Sequence, residues 1–283
     1  MPTAESLLRQ FNTIKTLPHI AIRLSKMISD DTSTMEEFEE IIKLDPTLVI
    51  RLLRLVNSAY YSLRNKVSSI SEAVVFIGSD SLRNMVVLEA LKEIFKIGGD
   101  EEIFSKKQLW FHCSAVSLCS QMISERIFTQ NSENTFLCGI LHDVGLIVEH
   151  QVVPDLFIQT CEAYQEKSGD VTKYETQIIG TDHCKLGSLL AQEWKLPKEV
   201  EMGIKNHHKK LDTINPSSII GIIQIAEYLV ARLNYTALPG TKVTLSSTLS
   251  DHIRNNIDEY RILAKDLPGE LEKAKEIYDL GDG

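Results

Sequence analysis

The stretch from Phe136 to Val148 reads FLCGILHDVGLIV and is the most informative part of this sequence. Its apolar residues cover nearly every side of a helix, which is typical of a helix in the centre of a bundle. Two polar residues, His142 and Asp143, interrupt the apolar pattern. Because an unpaired carboxylate is very costly to bury, the pattern predicts that Asp143 has a partner, either a histidine or a metal ion.

Helix signals recur on both sides of this stretch, and the alternation typical of strands is nearly absent. Thr34 and Glu37 form a capping box that predicts a helix to about Leu44, and Pro46 is placed to begin the next helix. Further helices are predicted from Ser71, over Ser79–Phe95 and Lys106–Phe128, as four segments between Pro154 and Leu233, and over Asp251–Leu263 and Glu270–Leu280. We therefore predict an all-α protein.

A glycine pair at Gly98 and Gly99 is the best candidate for a boundary between helical lobes. We predict an N-terminal lobe over residues 1–98, a second lobe over 99–235 and a C-terminal helical extension over 236–283.

The composition excludes several functional classes. The chain has 283 residues and a net charge of −9, which is the wrong sign for a protein that binds nucleic acid phosphates or anionic lipid. A basic cluster of Arg51, Arg54, Arg64 and Lys66 is interpreted as a solvated helix face. We expect neither a signal peptide nor a membrane helix.

Five cysteines are present without a C-x-x-C motif, so a disulfide framework or a thiolate zinc site is not expected. This cysteine usage favours a reducing cytoplasm. Cys113, Cys119 and Cys184 stand beside candidate ligands, but adjacent helical residues point about 100° apart, so these thiols are interpreted as small apolar side chains.

Histidines and carboxylates on several predicted helices form a candidate metal site. Neutral imidazole and carboxylate suit iron, manganese, zinc or nickel, and one or two such ions would support phosphate ester hydrolysis. The alternative is that each histidine is an ordinary core or surface residue, which is the interpretation for His19, His150 and His252. The candidate ligands are His112, His142, Asp143, His183, His207, His208 and Glu227.

The same residues carry a resemblance to a known family. Four motifs around the candidate ligands resemble those of the HD superfamily of metal-dependent phosphohydrolases. They are Gly139–Gly145, Asp182-His183-x-x-Leu186-Gly187, Trp194-x-Leu196-Pro197 and His207-His208. The motifs Leu17-Pro18, Asp45-Pro46, Leu52–Tyr61, Val67–Ala73 and Ile77-Gly78 are similar to those of the HDOD (HD-related output domain) group. The resemblance covers roughly Leu7 to Leu233.

The resemblance implies an HD-domain-like helical bundle with an N-terminal helical lobe, acting in bacterial signal transduction. It implies a regulatory module that works through contacts with a signalling protein and retains an HD-type metal centre, with iron as the first candidate metal. The alternative is a metal-dependent phosphohydrolase acting on a nucleotide or cyclic dinucleotide, in which His142 and Asp143 would be catalytic. Lys185 and Lys205 are then candidates to bind phosphate.

Two departures from the related cyclic dinucleotide phosphodiesterases stand out. Residues 209–216 contain no Gly-Tyr-Pro signature, and Glu227 occupies the position of the final aspartate. A glutamate still ligates, but its longer side chain would shift the ion.

Overall fold

A computed structural model describes residues 2–14, 42, 46–58, 61, 63–64, 66–95, 103–167, 169–210 and 213–274. Within these ranges the secondary structure is helical and no strand element forms, which confirms the predicted all-α fold. No helix in these ranges is both long and apolar enough to cross a membrane.

The described residues form the following helices, in chain order. Towards the N-terminus these are α1 (Ala4–Ile14), α2 (Pro46–Val56), α3 (Ile70–Ile77) and α4 (Ser79–Phe95). The middle of the chain contains α5 (Lys106–Met122) with a π-helical turn (Ile123–Ile127), α6 (Glu133–Leu141), α7 (Val144–Val152), α8 (Pro154–Lys167) and α9 (Val171–Ile178). Further along are α10 (His183–Glu193), α11 (Lys198–Asn206), α12 (Ile219–Arg232), α13 (Ser247–Asn255) and α14 (Ile257–Lys273).

Several predicted helix starts agree with the structure. Helix α2 begins at Pro46 and α4 at Ser79, as predicted. Helix α3 begins before Ser71, because Ser69 caps it by accepting a hydrogen bond from the backbone of Glu72. The capping box at Thr34 lies outside the described residues.

The long apolar stretch forms two helices, not one. Helix α6 ends at Leu141 and α7 begins at Val144, so His142 and Asp143 lie in the turn between them. A continuous helix would separate these two side chains by about 100°. The turn removes that constraint.

Two other predicted boundaries were wrong. Five helices lie between Pro154 and Arg232 where four were predicted, because the chain also turns at Gly180, whose φ is 97°. The C-terminal helices divide at Asn256, and α14 continues through Pro268 to Lys273.

Helix α5 is the centre of the bundle and packs against α6, α12 and α14. Its closest neighbour is α6, where a Cβ atom built on Gly139 would lie 2.8 Å from the backbone nitrogen of Ser117. The glycine therefore lets the two helices approach closely.

The N-terminal helices separate into two groups. Helices α2, α3 and α4 pack on one another, and α4 contacts α6 through a hydrogen bond from Asn84 to the carbonyl oxygen of Glu133. Helix α1 packs instead against α7 and α10, with Asn12 donating to Glu193. The division at residue 98 stays a prediction, but α1 contacts the second lobe.

Candidate metal centre

The candidate ligands come from six helices or their ends. His112 lies within α5 and Glu227 within α12, whereas the others stand at helix termini. His142 follows α6, Asp143 precedes α7 and His183 opens α10. His207 and His208 follow directly after α11. All seven side chains are brought together in the folded chain.

One group, which we call the first subsite, consists of His112, His142 and Glu227. The Nε2 atoms of His112 and His142 are 3.3 Å apart, and Oε1 of Glu227 lies 3.0 Å and 2.7 Å from them respectively. Three ligand atoms thus face one point.

A second group, the second subsite, contains His183, Cys184, His207 and His208. The Nε2 atoms of His183 and His207 are 3.2 Å apart. The ring of His208 lies 4.4 Å from that of His207 and 5.0 Å from that of His183, measured between centroids.

Asp143 lies between the two subsites. Its Oδ2 atom is 3.3 Å from Nε2 of His142 and 3.5 Å from Nε2 of His112. Its Oδ1 atom is 3.4 Å from Nε2 of His183 and 3.5 Å from Nε2 of His207. One carboxylate oxygen thus faces each subsite, as a bridging ligand requires.

In four of these histidines the other ring nitrogen is held by the protein. Nδ1 of His112 donates to the carbonyl oxygen of Tyr235, and Nδ1 of His142 to that of Gly139. Nδ1 of His207 donates to the carbonyl oxygen of Ile204, and all three distances are 2.7 Å. Nδ1 of His183 donates to the Glu175 carboxylate over 2.7 Å. These bonds put the proton on Nδ1 and turn the lone pair of Nε2 towards the centre.

This arrangement tests whether the donor set fits a metal ion. Two neutral imidazoles with their protons on Nδ1 cannot hydrogen-bond to each other through Nε2, because both Nε2 atoms are acceptors. The Nε2 pairs at 3.2 Å and 3.3 Å therefore need either a proton or a metal ion between them. Imidazole nitrogens with carboxylate oxygens fit a divalent transition metal, and the residues present satisfy that requirement.

Burial opposes charge at His142, Asp143 and His207, yet opposite charges outweigh it at these three residues. Burial lowers the pKa of His142, but Asp143 and Glu227 raise it well above its ordinary value. Burial likewise acts against ionised Asp143, whose pKa nevertheless falls well below its usual range because His142 faces it. For His207, Cys184 and Asp143 overcome burial and raise the pKa to about 9. Protons and metal ions therefore compete for the same nitrogens.

Cys184 corrects the interpretation that thiols adjacent to ligands point away. Its Sγ atom lies 3.5 Å from Nε2 of His183 and 3.9 Å from both ring nitrogens of His207. Both residues of the pair at the start of α10 face the second subsite. Burial raises the pKa of the Cys184 thiol, but His183 and His207 bring it below its ordinary value.

A cavity of about 390 Å³ opens onto the centre. Among its lining residues are the candidate ligands His112, Asp143, His183, His207, His208 and Glu227. Lysines from three segments also line it, namely Lys173, Lys209, Lys210 and Lys242. Gln224 donates to the carbonyl oxygen of Lys209 over 2.9 Å and so fixes the segment that carries two of them.

The two lysines proposed from the sequence do not line this cavity. Lys185 and Lys205 each stand two residues from a ligand, which turns them about 200° away around the helix axis. Lys185 instead lies 3.5 Å from Glu5 of α1.

The remaining histidines lie elsewhere. His150 packs against Phe104 and Phe157, and His252 stacks on Phe128. His19 lies outside the described residues.

Sequence reasoning missed Glu175, which is fully buried on α9 and orients His183. A signal was present, because Val171, Glu175 and Ile178 share one helix face, and a carboxylate on an apolar face needs a partner.

Comparisons with known proteins agree with this architecture. The family model of the HDOD domain matches residues 14–210, within the range predicted from the motifs. A curated protein from Treponema pallidum (strain Nichols), named only as uncharacterized, is 27% identical over 206 residues. The match covers 72% of this chain and 39% of that protein, so the chain spans well under half the length of its curated relative.

Solved structures show the same fold. An HDOD domain protein with unknown function from Geobacter sulfurreducens is 25% identical with a TM-score of 0.73, and 97% of each chain is covered. A candidate phosphohydrolase from Shewanella amazonensis SB2B is also 25% identical over 97% of each chain, with a TM-score of 0.70. A candidate signal transduction protein from Marinobacter aquaeolei VT8 is 20% identical with a TM-score of 0.68, covering 94% of this chain and 60% of that one.

The family model covers more than half of the chain, and the structures similar to it share its helical architecture. This protein therefore belongs to the HDOD family.

Proposed function

We propose that this protein is a metal-dependent phosphohydrolase acting on a nucleotide or a cyclic dinucleotide. The observation that supports the proposal most strongly is the cavity of about 390 Å³, which reaches the candidate ligands and is also lined by lysines. A purely structural metal site is closed by protein ligands, whereas a catalytic site keeps an open position. The volume lies within the range of small-molecule sites.

The cavity is lined by more lysines than carboxylates, whereas the whole chain is acidic. Lys173, Lys209, Lys210 and Lys242 line it, although the net charge is −9. Ammonium groups pair with phosphate oxygens, so these lysines would attract and hold an anionic ester against the centre.

The centre supplies the remaining requirements. One or two divalent transition-metal ions, when bound, provide Lewis acidity towards a phosphoryl oxygen and an attacking water. His112, His142 and Glu227 would hold one ion, the second subsite the other, and Asp143 would bridge them. The Nδ1 hydrogen bonds keep the imidazole rings in place.

A hydrolysis screen tests the proposal. Protein loaded separately with Mn²⁺, Fe²⁺, Zn²⁺ or Ni²⁺ is assayed against p-nitrophenyl phosphates, nucleotides and cyclic dinucleotides. We expect turnover that Asp143→Asn abolishes, because this change removes the bridging carboxylate. Lys209→Ala with Lys210→Ala is expected to raise KM about tenfold through lost charge-assisted contacts. Lys265→Ala, an exposed lysine that does not line the cavity, is the control.

A regulatory module that acts through a signalling protein partner is the second candidate. Its support is on α3, where Val75 is 82% and Phe76 55% exposed, since adjacent exposed apolar side chains favour protein contacts. Under this hypothesis the metal centre has a structural or a sensing role. A silent screen from protein with metal bound in stoichiometric amount would overturn the phosphohydrolase and favour the module.

A further inference from the structure

The two halves of the metal centre differ in chemistry. The first subsite has two imidazoles and the carboxylate of Glu227, whereas the second includes the sulfur of Cys184. In the second group the ligand atoms of all four residues lie within 4.8 Å of one another. The thiol is therefore one of several converging donors.

The local fold explains why Cys184 reaches the centre. Asp182 caps α10 by accepting a hydrogen bond from the backbone of Lys185 over 2.8 Å, so His183 and Cys184 occupy the first two positions of the helix. The first turn of a helix is also where its dipole stabilises an anion such as a thiolate.

The contacts of Cys184 all lie within the second subsite. The residue is only 6% exposed, and Nε2 of His183 is 3.5 Å from Sγ. Both ring nitrogens of His207 are 3.9 Å away, so the sulfur faces the same imidazoles that would bind the ion. An ion bound among these atoms would meet the sulfur as directly as the imidazoles.

We propose that Cys184 is a thiolate ligand of the ion in the second subsite. The centre then has one nitrogen and oxygen subsite and one that also contains sulfur. Thiolate favours zinc and similar borderline ions, whereas carboxylate and imidazole alone also accept manganese. The second subsite is thus selective for a softer divalent cation, such as Zn²⁺ or Co²⁺. This inference rests on the proposed metal centre and adds a ligand to it.

Cobalt spectroscopy tests the assignment. Co²⁺ is titrated into the full chain, and ligand-field bands in the visible report binding while a thiolate-to-cobalt charge-transfer band in the near ultraviolet reports sulfur. We expect both in the wild type and in Cys161→Ser, a buried cysteine of α8 outside the ligand group. Cys184→Ser should keep the ligand-field bands and lose the charge-transfer band.

Two negative results have different meanings. Ligand-field bands without a charge-transfer band in the wild type would overturn the thiolate ligand and leave the metal centre intact. If neither the ligand-field bands nor the charge-transfer band appears, the proposed metal centre is refuted, and this inference is refuted with it. X-ray absorption of zinc-loaded wild-type protein covers the case in which Cys184→Ser does not fold. It should show a sulfur neighbour at about 2.3 Å, and a shell of nitrogen and oxygen alone would refute the proposal.

Discussion

Gly145 and His183 touch through their backbones. A Cβ atom built on Gly145 would lie 2.7 Å from the Cα atom of His183, closer than real Cβ atoms come to other groups. Helices α7 and α10 therefore meet here without an intervening side chain. Since Asp143 precedes α7 and His183 opens α10, this contact sets the distance between the bridging carboxylate and the second subsite.

Gly145→Ala is expected to separate these helices. The added methyl group has no space, so the variant should lose about 1–3 kcal/mol of stability, and His183 should move away from Asp143. Chemical denaturation measures the first effect and a zinc titration the second. Gly269→Ala is the matched control, because a Cβ atom there meets nothing within 4 Å. Unchanged stability and zinc affinity in Gly145→Ala would contradict this role of the contact.

Glu175→Gln tests how the second subsite is oriented. The carboxylate of Glu175 accepts from Nδ1 of His183 over 2.7 Å and from its backbone nitrogen over 3.1 Å. Glutamine keeps the shape but removes the charge, so zinc affinity of the second subsite should fall by about 10- to 100-fold. Calorimetric titration should show that the zinc affinity of the first subsite is unchanged.

The control for this variant is Glu201→Gln, which alters a buried carboxylate on α11 that pairs with Lys198 and Gln192. If both variants bind zinc equally well, Glu175 does not orient His183.

A buried carboxyl group makes stability depend on pH. Glu149 on α7 is fully buried, and neither of its oxygens has a hydrogen-bond partner among the residues that the structure describes. Burial, with the charge of Glu175, raises its pKa well above the ordinary value. The folded chain thus keeps a proton that the unfolded chain releases above about pH 4.5, so this group lowers stability as pH rises past that value.

Glu149→Gln should remove this penalty. We expect the variant to melt at a higher temperature than the wild type at pH 8, with little difference at pH 4.5. Thermal denaturation across this range provides the measurement. An equal shift at both pH values would mean that ionisation of Glu149 is not the cause.

Metal binding should release protons. The pKa of His207 is about 9 without a bound metal, so this imidazole is charged at pH 7 and must lose its proton to ligate. The charged form stabilises the fold below pH 6.5, and that contribution disappears as pH rises through about 9. Apparent zinc affinity should therefore increase from pH 7 to 9. Calorimetry in buffers of different ionisation enthalpy counts the protons, and a value of zero would contradict the prediction.

Much of this architecture could be predicted from local signals. Apolar periodicity, caps and prolines gave the helical class and starts such as Pro46 and Ser79, since these signals act within a few residues. The burial cost of a carboxylate in an apolar segment predicted from the sequence that Asp143 has partners.

Other features depend on contacts between distant segments. The turn at His142 and Asp143 has no glycine or proline to mark it, so the apolar pattern resembled one helix. The cavity lysines were missed because Lys209 and Lys242 are distant in the sequence and line the same cavity only in the folded chain. The position of Cys184 was missed because the rule of 100° between neighbours does not prevent two side chains at a helix start from facing one ligand group.

An anomalous difference map from a crystal of zinc-loaded protein would show whether the candidate ligands bind two metal ions. We expect two peaks about 3.5–4 Å apart on either side of Asp143, one beside His112, His142 and Glu227 and the other beside His183 and His207. A map without a peak among these side chains, from protein that elemental analysis shows to contain zinc, would contradict this expectation.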